Sequence, residues 1–200
     1  AGRLGLLAEV QSALRKHSGS AAVAKQACGA LRNMCVNNDN RVEAGRLGLL
    51  AEVQSALRKH SGSAAVAEQA CGALKNMCVN NENKATDNKV GAGRLGLLAD
   101  VQSALLQSAM RKNPGSAAVA EQACAALCVM CANNADNKAE AGRLGLLAEV
   151  QSALRKNPGS AAVAEQACGA LKNMCVNNDN EAEAGRLGLL AEVQSALRKH

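Results

Sequence analysis

Polar side chains recur at helical spacing in this chain and could hold the backbone of a bound peptide. Glu68 and Gly72 are four residues apart, and Asn76 and Asn80 continue the interval, so all of them share one helix face. An asparagine amide offers both a donor and an acceptor, which match the carbonyl and N–H of a peptide. Because duplication also copies inert residues, two interpretations stay open: a peptide-binding ladder or a solvated helix face.

The candidate partner-binding residues come from this ridge and its charged neighbours in three copies of one segment. Each hydrogen bond of this kind contributes about 0.5–1.5 kcal/mol net, so a peptide must span several copies to bind. Replacing Asn33, Asn76 and Asn173 together with alanine is expected to weaken a bound peptide by roughly 1.4–2.8 kcal/mol, with helix content intact. The candidates are Asn33, Asn37, Asn76, Asn80, Asn173, Asn177, Lys75, Lys172, Arg32 and Glu68.

Nine cysteines could form disulfides or bind a metal. Eight of them occur in pairs seven residues apart, which separates the two by about 10 Å along a helix. A disulfide requires Cα atoms within about 7 Å, so we predict nine free thiols, with the eight paired ones buried, in an intracellular protein of the cytoplasm or nucleus. The pairs are Cys28 and Cys35, Cys71 and Cys78, Cys124 and Cys131, and Cys168 and Cys175.

Cys124, Cys128 and Cys131 fall on one predicted helix. A tetrahedral metal site needs ligands that converge from several directions, which one helix face does not supply. Core packing is therefore the favoured interpretation. We predict neither a metal nor another cofactor.

Gly45 and Gly48 could cradle a phosphate where a helix begins. The segment lacks the lysine and hydroxyl residue of a phosphate-binding loop and the strand that precedes one, so a break between a short and a long helix is favoured. Catalytic sites are singular arrangements, whereas the reactive residues here recur with the repeat. We therefore predict that the protein is not an enzyme.

One arginine per copy follows an Ala-Gly pair. These arginines are expected to form salt bridges between repeats, with Glu43 or Glu140 as partners, and a weak contact to an acidic partner is the alternative. The row consists of Arg3, Arg46, Arg94, Arg143 and Arg186.

The composition limits the partners. The chain has 200 residues, a net charge of +6 and no Phe, Trp or Tyr. Nucleic-acid binding uses a clustered basic face, and single strands also need aromatic stacking platforms, so nucleic acid is disfavoured. No apolar run is long enough for a membrane-spanning helix.

A tandem repeat positions all of these residues. The stretch Ser63–Asn81 recurs as Ser20–Asn38, Ser116–Asn134 and Ser160–Asn178, and a second stretch begins at Ala1, Ala44, Ala92, Ala141 and Ala184. A period in the low forties is typical of HEAT or armadillo solenoids. We predict a single array over residues 1–200, with repeats 1–43, 44–91, 92–140 and 141–183 and a partial repeat 184–200. Because neither end resembles a polar capping repeat, we expect a segment of a longer array.

Each repeat predicts two long helices. In the second copy, Leu50, Val53 and Leu57 follow at helical spacing, and Ser63 is a suitable N-cap for the next helix. An extra segment, Leu106–Met110, is expected to lengthen the first long helix of the third copy by over a turn. The extra residues Lys84–Asn88 are expected to enlarge a surface loop.

The repeats resemble the armadillo family. The resemblance rests on Ala44-Gly45 with the apolar helix after it, on the run Glu68–Met77 and on the trailing Asn80-Asn81. It implies three helices per repeat, a right-handed superhelix, and third helices that line a concave groove where asparagines hold an extended peptide. The matching positions are Asn33, Asn76 and Asn173, with Val129 in the third copy; the first helix of the family is shortened here to roughly Asn40–Ala44, and Gly29, Gly72, Ala125 and Gly169 replace the tryptophan of importin-α-like repeats.

The fold class predicted is therefore an all-α, right-handed α–α superhelix of armadillo type, HEAT-like in its two long helices. The predicted function is a protein-interaction scaffold that binds a partner protein or an extended peptide along the groove lined by the second long helix of each repeat. Two alternatives remain, an RNA-binding helical solenoid and a structural or synthetic repeat spacer.

Overall fold

A computed structural model describes residues 2–79, 88–110 and 116–199. Within these ranges the chain forms thirteen α-helices and no strand. The all-α prediction is therefore confirmed.

The helices recur in threes: a short helix, then a second helix, then a third helix. The short helices are α3 (Asn38–Arg46), α6 (Asn88–Arg94), α9 (Ala135–Arg143) and α12 (Asn178–Arg186). The second helices are α1 (Gly2–Lys16), α4 (Leu49–Lys59), α7 (Leu97–Met110), α10 (Leu146–Lys156) and α13 (Leu189–Leu197). The third helices are α2 (Ala21–Met34), α5 (Ala64–Cys78), α8 (Ser116–Cys131) and α11 (Ala161–Met174).

The ends of α3 follow from two residues. The side-chain oxygen of Asn37 accepts the Asn40 N–H at 3.2 Å and caps the helix start. After the helix, Gly48 takes the left-handed conformation with φ 72°, which favours glycine, and separates α3 from α4. The expected short helix at Asn40–Ala44 is too short, because α3 is capped at Asn37 and continues through Gly45 to Arg46.

The third helices pack side by side in the order α2, α5, α8, α11, and each also packs against the second helix of its own unit. Small side chains such as Ala70 and Ala123, both fully buried, allow the close approach of neighbouring third helices. The second helices contribute leucines and valines to the same core, for example Leu49, Val53 and Leu146.

The predicted repeat boundaries fall within helices and not between them. Ala44, Ala92, Ala141 and Ala184 each lie inside a short helix, so a unit that keeps its helices whole begins at the short helix. The described part of helix α7 has 14 residues against 11 in α4, so the helix continues through the extra segment as far as Met110, where the described range ends. Residues 84–87 of the second insertion lie outside the described ranges.

All nine cysteines are free thiols, and six of the eight paired ones are buried. Cys168 and Cys175 are only half-buried, because among the described residues no further third helix packs on the outer side of α11. Burial raises the pKa of Cys28, Cys71, Cys124 and Cys131 to about 12. Burial also raises the pKa of Cys35 to about 11, although the positive charge of Arg41 acts to lower it.

Thiol labelling should divide the cysteines into two classes. At pH 8 in native protein, we expect Cys128, Cys168 and Cys175 to react with a maleimide at least about tenfold faster than the six buried cysteines, because the thiolate is the reactive form and burial suppresses it. Mass spectrometry of digests taken over time measures each rate, and labelling in denaturant, where the two classes should converge, is the control. Rapid native labelling of Cys71 or Cys124 would contradict this core packing.

Candidate functional site

The third helices share one accessible stripe, which we call the third-helix face. Its residues occupy four matching positions in every copy, at helical intervals, so the stripes of neighbouring third helices lie side by side. The face consists of Lys25, Arg32, Asn33 and Val36 on and after α2; Glu68, Lys75, Asn76 and Val79 on and after α5; Glu121, Cys128, Val129 and Ala132 on and after α8; and Glu165, Lys172, Asn173 and Val176 on and after α11.

The predicted asparagine ladder binds the neighbouring unit. The Nδ2 group of Asn76 donates to the Arg32 carbonyl at 2.6 Å, and that of Asn173 donates to the Cys128 carbonyl at 2.8 Å. Asn33 is exposed, and no third helix precedes α2 within the described residues. Each bonded amide therefore uses its Nδ2 group in the stack, whereas its Oδ1 remains able to accept the N–H of a peptide.

The basic members of the third-helix face differ in their partners. Arg32 of α2 lies 3.5 Å from the carboxylate of Glu68 and 3.4 Å from Gln69 Oε1. Both partners belong to α5, so the Arg32 side chain links two neighbouring third helices. Lys75 is half-buried and Lys172 is exposed, and no carboxylate of the described residues lies within 4.0 Å of either ammonium group. These two lysines are available for an anionic partner.

Three exposed valines on this face were not among the residues predicted from the sequence. Val36 is 65% exposed, Val176 is 67% exposed and Val79 is 36% exposed, which is unusual for valine. They stand at the same place in three copies, one turn after a basic residue. That recurrence was the signal that could have identified them as an apolar row along the edge of the face.

The predicted residues Asn37 and Asn177 cap helices. Their side-chain oxygens accept the N–H groups of Asn40 at 3.2 Å and Asn180 at 3.1 Å. Asn80 lies outside the described residues. Asn37 and Asn177 therefore belong to the starts of the short helices and not to the third-helix face.

Gly72 does not open a path for a peptide backbone, although it belongs to the predicted ridge with Asn76. It is buried, and a Cβ placed on it would lie 2.7 Å from Arg32 Cδ and 3.2 Å from Gln122 Oε1. The missing side chain makes room for residues of the two adjacent third helices. Gly72 is a packing position of the stack.

A second asparagine series, which the sequence reasoning missed, fastens the short helices together. Asn88, Asn137 and Asn180 each donate through Nδ2 to two carbonyls, one on the preceding short helix and one at the end of a third helix. For Asn137 these are Lys89 at 3.1 Å and Met130 at 2.8 Å. The third-helix carbonyls lie in the last turn, where backbone acceptors have no donor within the helix, so the amide supplies one.

The arginine row pairs with the expected glutamates, but each pair lies within one short helix. Arg46, Arg143 and Arg186 pair with Glu43, Glu140 and Glu183 three residues earlier on the same short helix. The reason is that each short helix continues past the predicted boundary and places both partners on one face. Bridges between units come instead from second helices, as in Arg15 with Glu52 at 2.6 Å and Arg58 with Asp100 at 2.8 Å.

Within the described ranges, no three His, Cys, Asp or Glu side chains are grouped closely enough to hold a metal ion. Over the same residues, no helix has the length and apolar character needed to cross a membrane. The accessible chemistry of the third-helix face is therefore that of hydrogen bonds, cations and exposed methyl groups.

This architecture defines an armadillo-type helical repeat scaffold: units of three helices, a left-handed glycine between the short and second helix, and third helices stacked side by side. The family model described as the LRRK2 ARM repeat matches residues 30–200. The chain therefore belongs to this ARM repeat family. Neither a curated protein nor a solved structure matches it.

Proposed function

We propose that this protein is an interaction scaffold that binds an extended peptide segment of a partner protein along the third-helix face. The observation that carries the proposal is the register of that face: basic, amide and valine positions recur at matching places in three of the four copies, those of α2, α5 and α11. An extended peptide presents the same kinds of group at regular intervals along its backbone. Family membership supports a scaffold role, since armadillo repeats typically mediate protein interactions.

Several contacts act together in this proposal. The Oδ1 atoms of Asn76 and Asn173 accept backbone N–H groups, and the ammonium groups of Lys75 and Lys172, which pair with no carboxylate of the described residues, attract carboxylates. Charged hydrogen bonds contribute about 1.5–3 kcal/mol each, more than neutral ones. The lysines therefore provide a sharper test than the asparagines, whose replacement by alanine also removes bonds between units.

The test compares two matched pairs of charge reversals. Peptides selected on the chain from a random display library are labelled, and their affinities are measured by fluorescence anisotropy. We expect Lys75→Glu with Lys172→Glu to weaken binding by about tenfold or more, because each reversal replaces an attraction by a repulsion. The control is Lys16→Glu with Lys59→Glu, which changes the net charge equally on exposed ends of second helices and should leave affinity within about twofold.

Two results would contradict the proposal. If both pairs weaken peptide binding equally, and the affinity falls steeply at higher salt, the protein attracts anionic ligands in general, as a surface that binds RNA does. If neither pair has an effect, the peptides bind elsewhere on the protein. Far-ultraviolet circular dichroism of each variant checks that the helices remain.

A further inference from the structure

The third copy departs from the others at the centre of the third-helix face. Cys128 and Val129 replace the basic residue and the asparagine that every other copy has. Both are half-buried, as is Ala132 one turn later, so this part of the face presents thiol and methyl surface. The replaced pairs are Arg32-Asn33, Lys75-Asn76 and Lys172-Asn173.

Cationic groups surround this apolar patch. Burial raises the pKa of the Cys128 thiol, while the hydrogen bond from Asn173 and the charges of Lys172, Lys75 and Lys89 act in the opposite direction. Lys75 and Lys172 occupy the position that matches Cys128 on the two third helices packed against α8, so they flank the thiol. Lys75 belongs to α5 on one side and Lys172 to α11 on the other, whereas Lys89 donates to the Ala132 carbonyl at 3.0 Å.

The carboxylates of the face lie at its other end. Glu121 and Glu68 precede the central basic positions by two helical turns, about 10 Å along the axis. Glu68 is bonded to Gln69 at 3.0 Å and Glu121 to Gln122 at 2.8 Å. A ligand that crosses the helices at the level of Lys75 and Lys172 therefore meets positive charge on both sides of an apolar centre.

The distance between neighbouring third helices determines how many peptide residues separate the side chains that contact them. Packed helices lie about 8–10 Å apart. A peptide in the extended polyproline II conformation rises about 3.1 Å per residue and places every third side chain on one side, so roughly three peptide residues pass each helix. We propose that the face selects an extended peptide with the pattern acidic–x–x–apolar–x–x–acidic, with its apolar side chain over Cys128 and Val129 and its carboxylates at Lys75 and Lys172. This inference rests on the proposed function, since it specifies the ligand of the same face.

A peptide library displayed on phage, with twelve random residues and the complete chain as bait, tests the pattern. We expect the enriched peptides to share two acidic residues six apart with Leu, Ile, Val or Met midway, and to lose binding to Lys75→Glu with Lys172→Glu. Enriched peptides that depend on these lysines but lack the apolar midpoint would overturn this inference and leave the proposed function standing. If no enriched peptide depends on the lysines, both proposals are wrong.

A matched variant tests the central position directly. Cys128→Lys with Val129→Asn gives the third copy the pair found in the second, and the fold accommodates a long side chain there, since Arg32 lies over Gly72 as Cys128 lies over Gly169. The probes are Glu-Ser-Ser-Leu-Ser-Ser-Glu and the same peptide with Glu in place of Leu, each displayed on phage. Native protein should retain the leucine probe about tenfold better, and the variant should prefer the glutamate probe. An unchanged preference in the variant would overturn the assignment of the apolar subsite.

Discussion

Asn137→Ala is expected to lower the free energy of unfolding by about 2–4 kcal/mol. Asn137 is 2% exposed, and its Nδ2 group donates to the carbonyls of Lys89 and Met130. Alanine removes both bonds, each worth about 0.5–1.5 kcal/mol, and leaves the buried Met130 carbonyl in the last turn of α8 without this donor, at a cost of about 1–3 kcal/mol. Urea titration followed by circular dichroism measures the change.

Asn33→Ala is the control for this prediction. It makes the same substitution at an exposed position, so its effect should stay within about 0.5 kcal/mol. Since units of a solenoid are stabilised by their neighbours, the loss of Asn137 should also broaden or split the unfolding transition. Equal, small effects of the two variants would show that the short-helix asparagines are dispensable.

Gly142→Ala is expected to destabilise the protein by about 1–3 kcal/mol, whereas Gly185→Ala should stabilise it by about 0.5–1 kcal/mol. A Cβ on Gly142 would press on Oδ1 of Asn180, with Cγ of that residue at 3.0 Å. Asn180 is 2% exposed and bonded to two carbonyls, so it has little freedom to move away. At Gly185, a Cβ would meet nothing within 4 Å.

This pair is informative because the local sequences are nearly the same. Both glycines precede the run Arg-Leu-Gly-Leu-Leu-Ala-Glu-Val, and both lie on a nine-residue short helix. Helix propensity therefore predicts the same gain from alanine at both sites. Thermal unfolding followed at 222 nm measures the two variants, and effects of the same sign would show that Asn180 yields to the added methyl group.

Helix positions and helix ends were determined by the sequence. Leu50, Val53 and Leu57 repeat at the helical period, and Ser63 caps α5 by accepting the Val66 N–H at 3.3 Å, as a serine before an apolar run predicts. Free thiols were also predictable, since the spacing of the paired cysteines on a helix excludes a bridge. These properties depend on neighbours along the chain, which the sequence contains.

What the polar residues do was decided by the tertiary structure. Asn33 and Asn137 are the same residue type in helices, yet one is exposed and the other is buried between two short helices. Gly142 and Gly185 differ in the same way, because Asn180 of the next unit packs against only the first. Periodicity identifies the faces of one helix, but it contains no information on which atoms of the next unit meet those faces. The partner of a polar group across a stack is set by how far one unit is shifted and rotated on another, and only the packed structure defines that geometry.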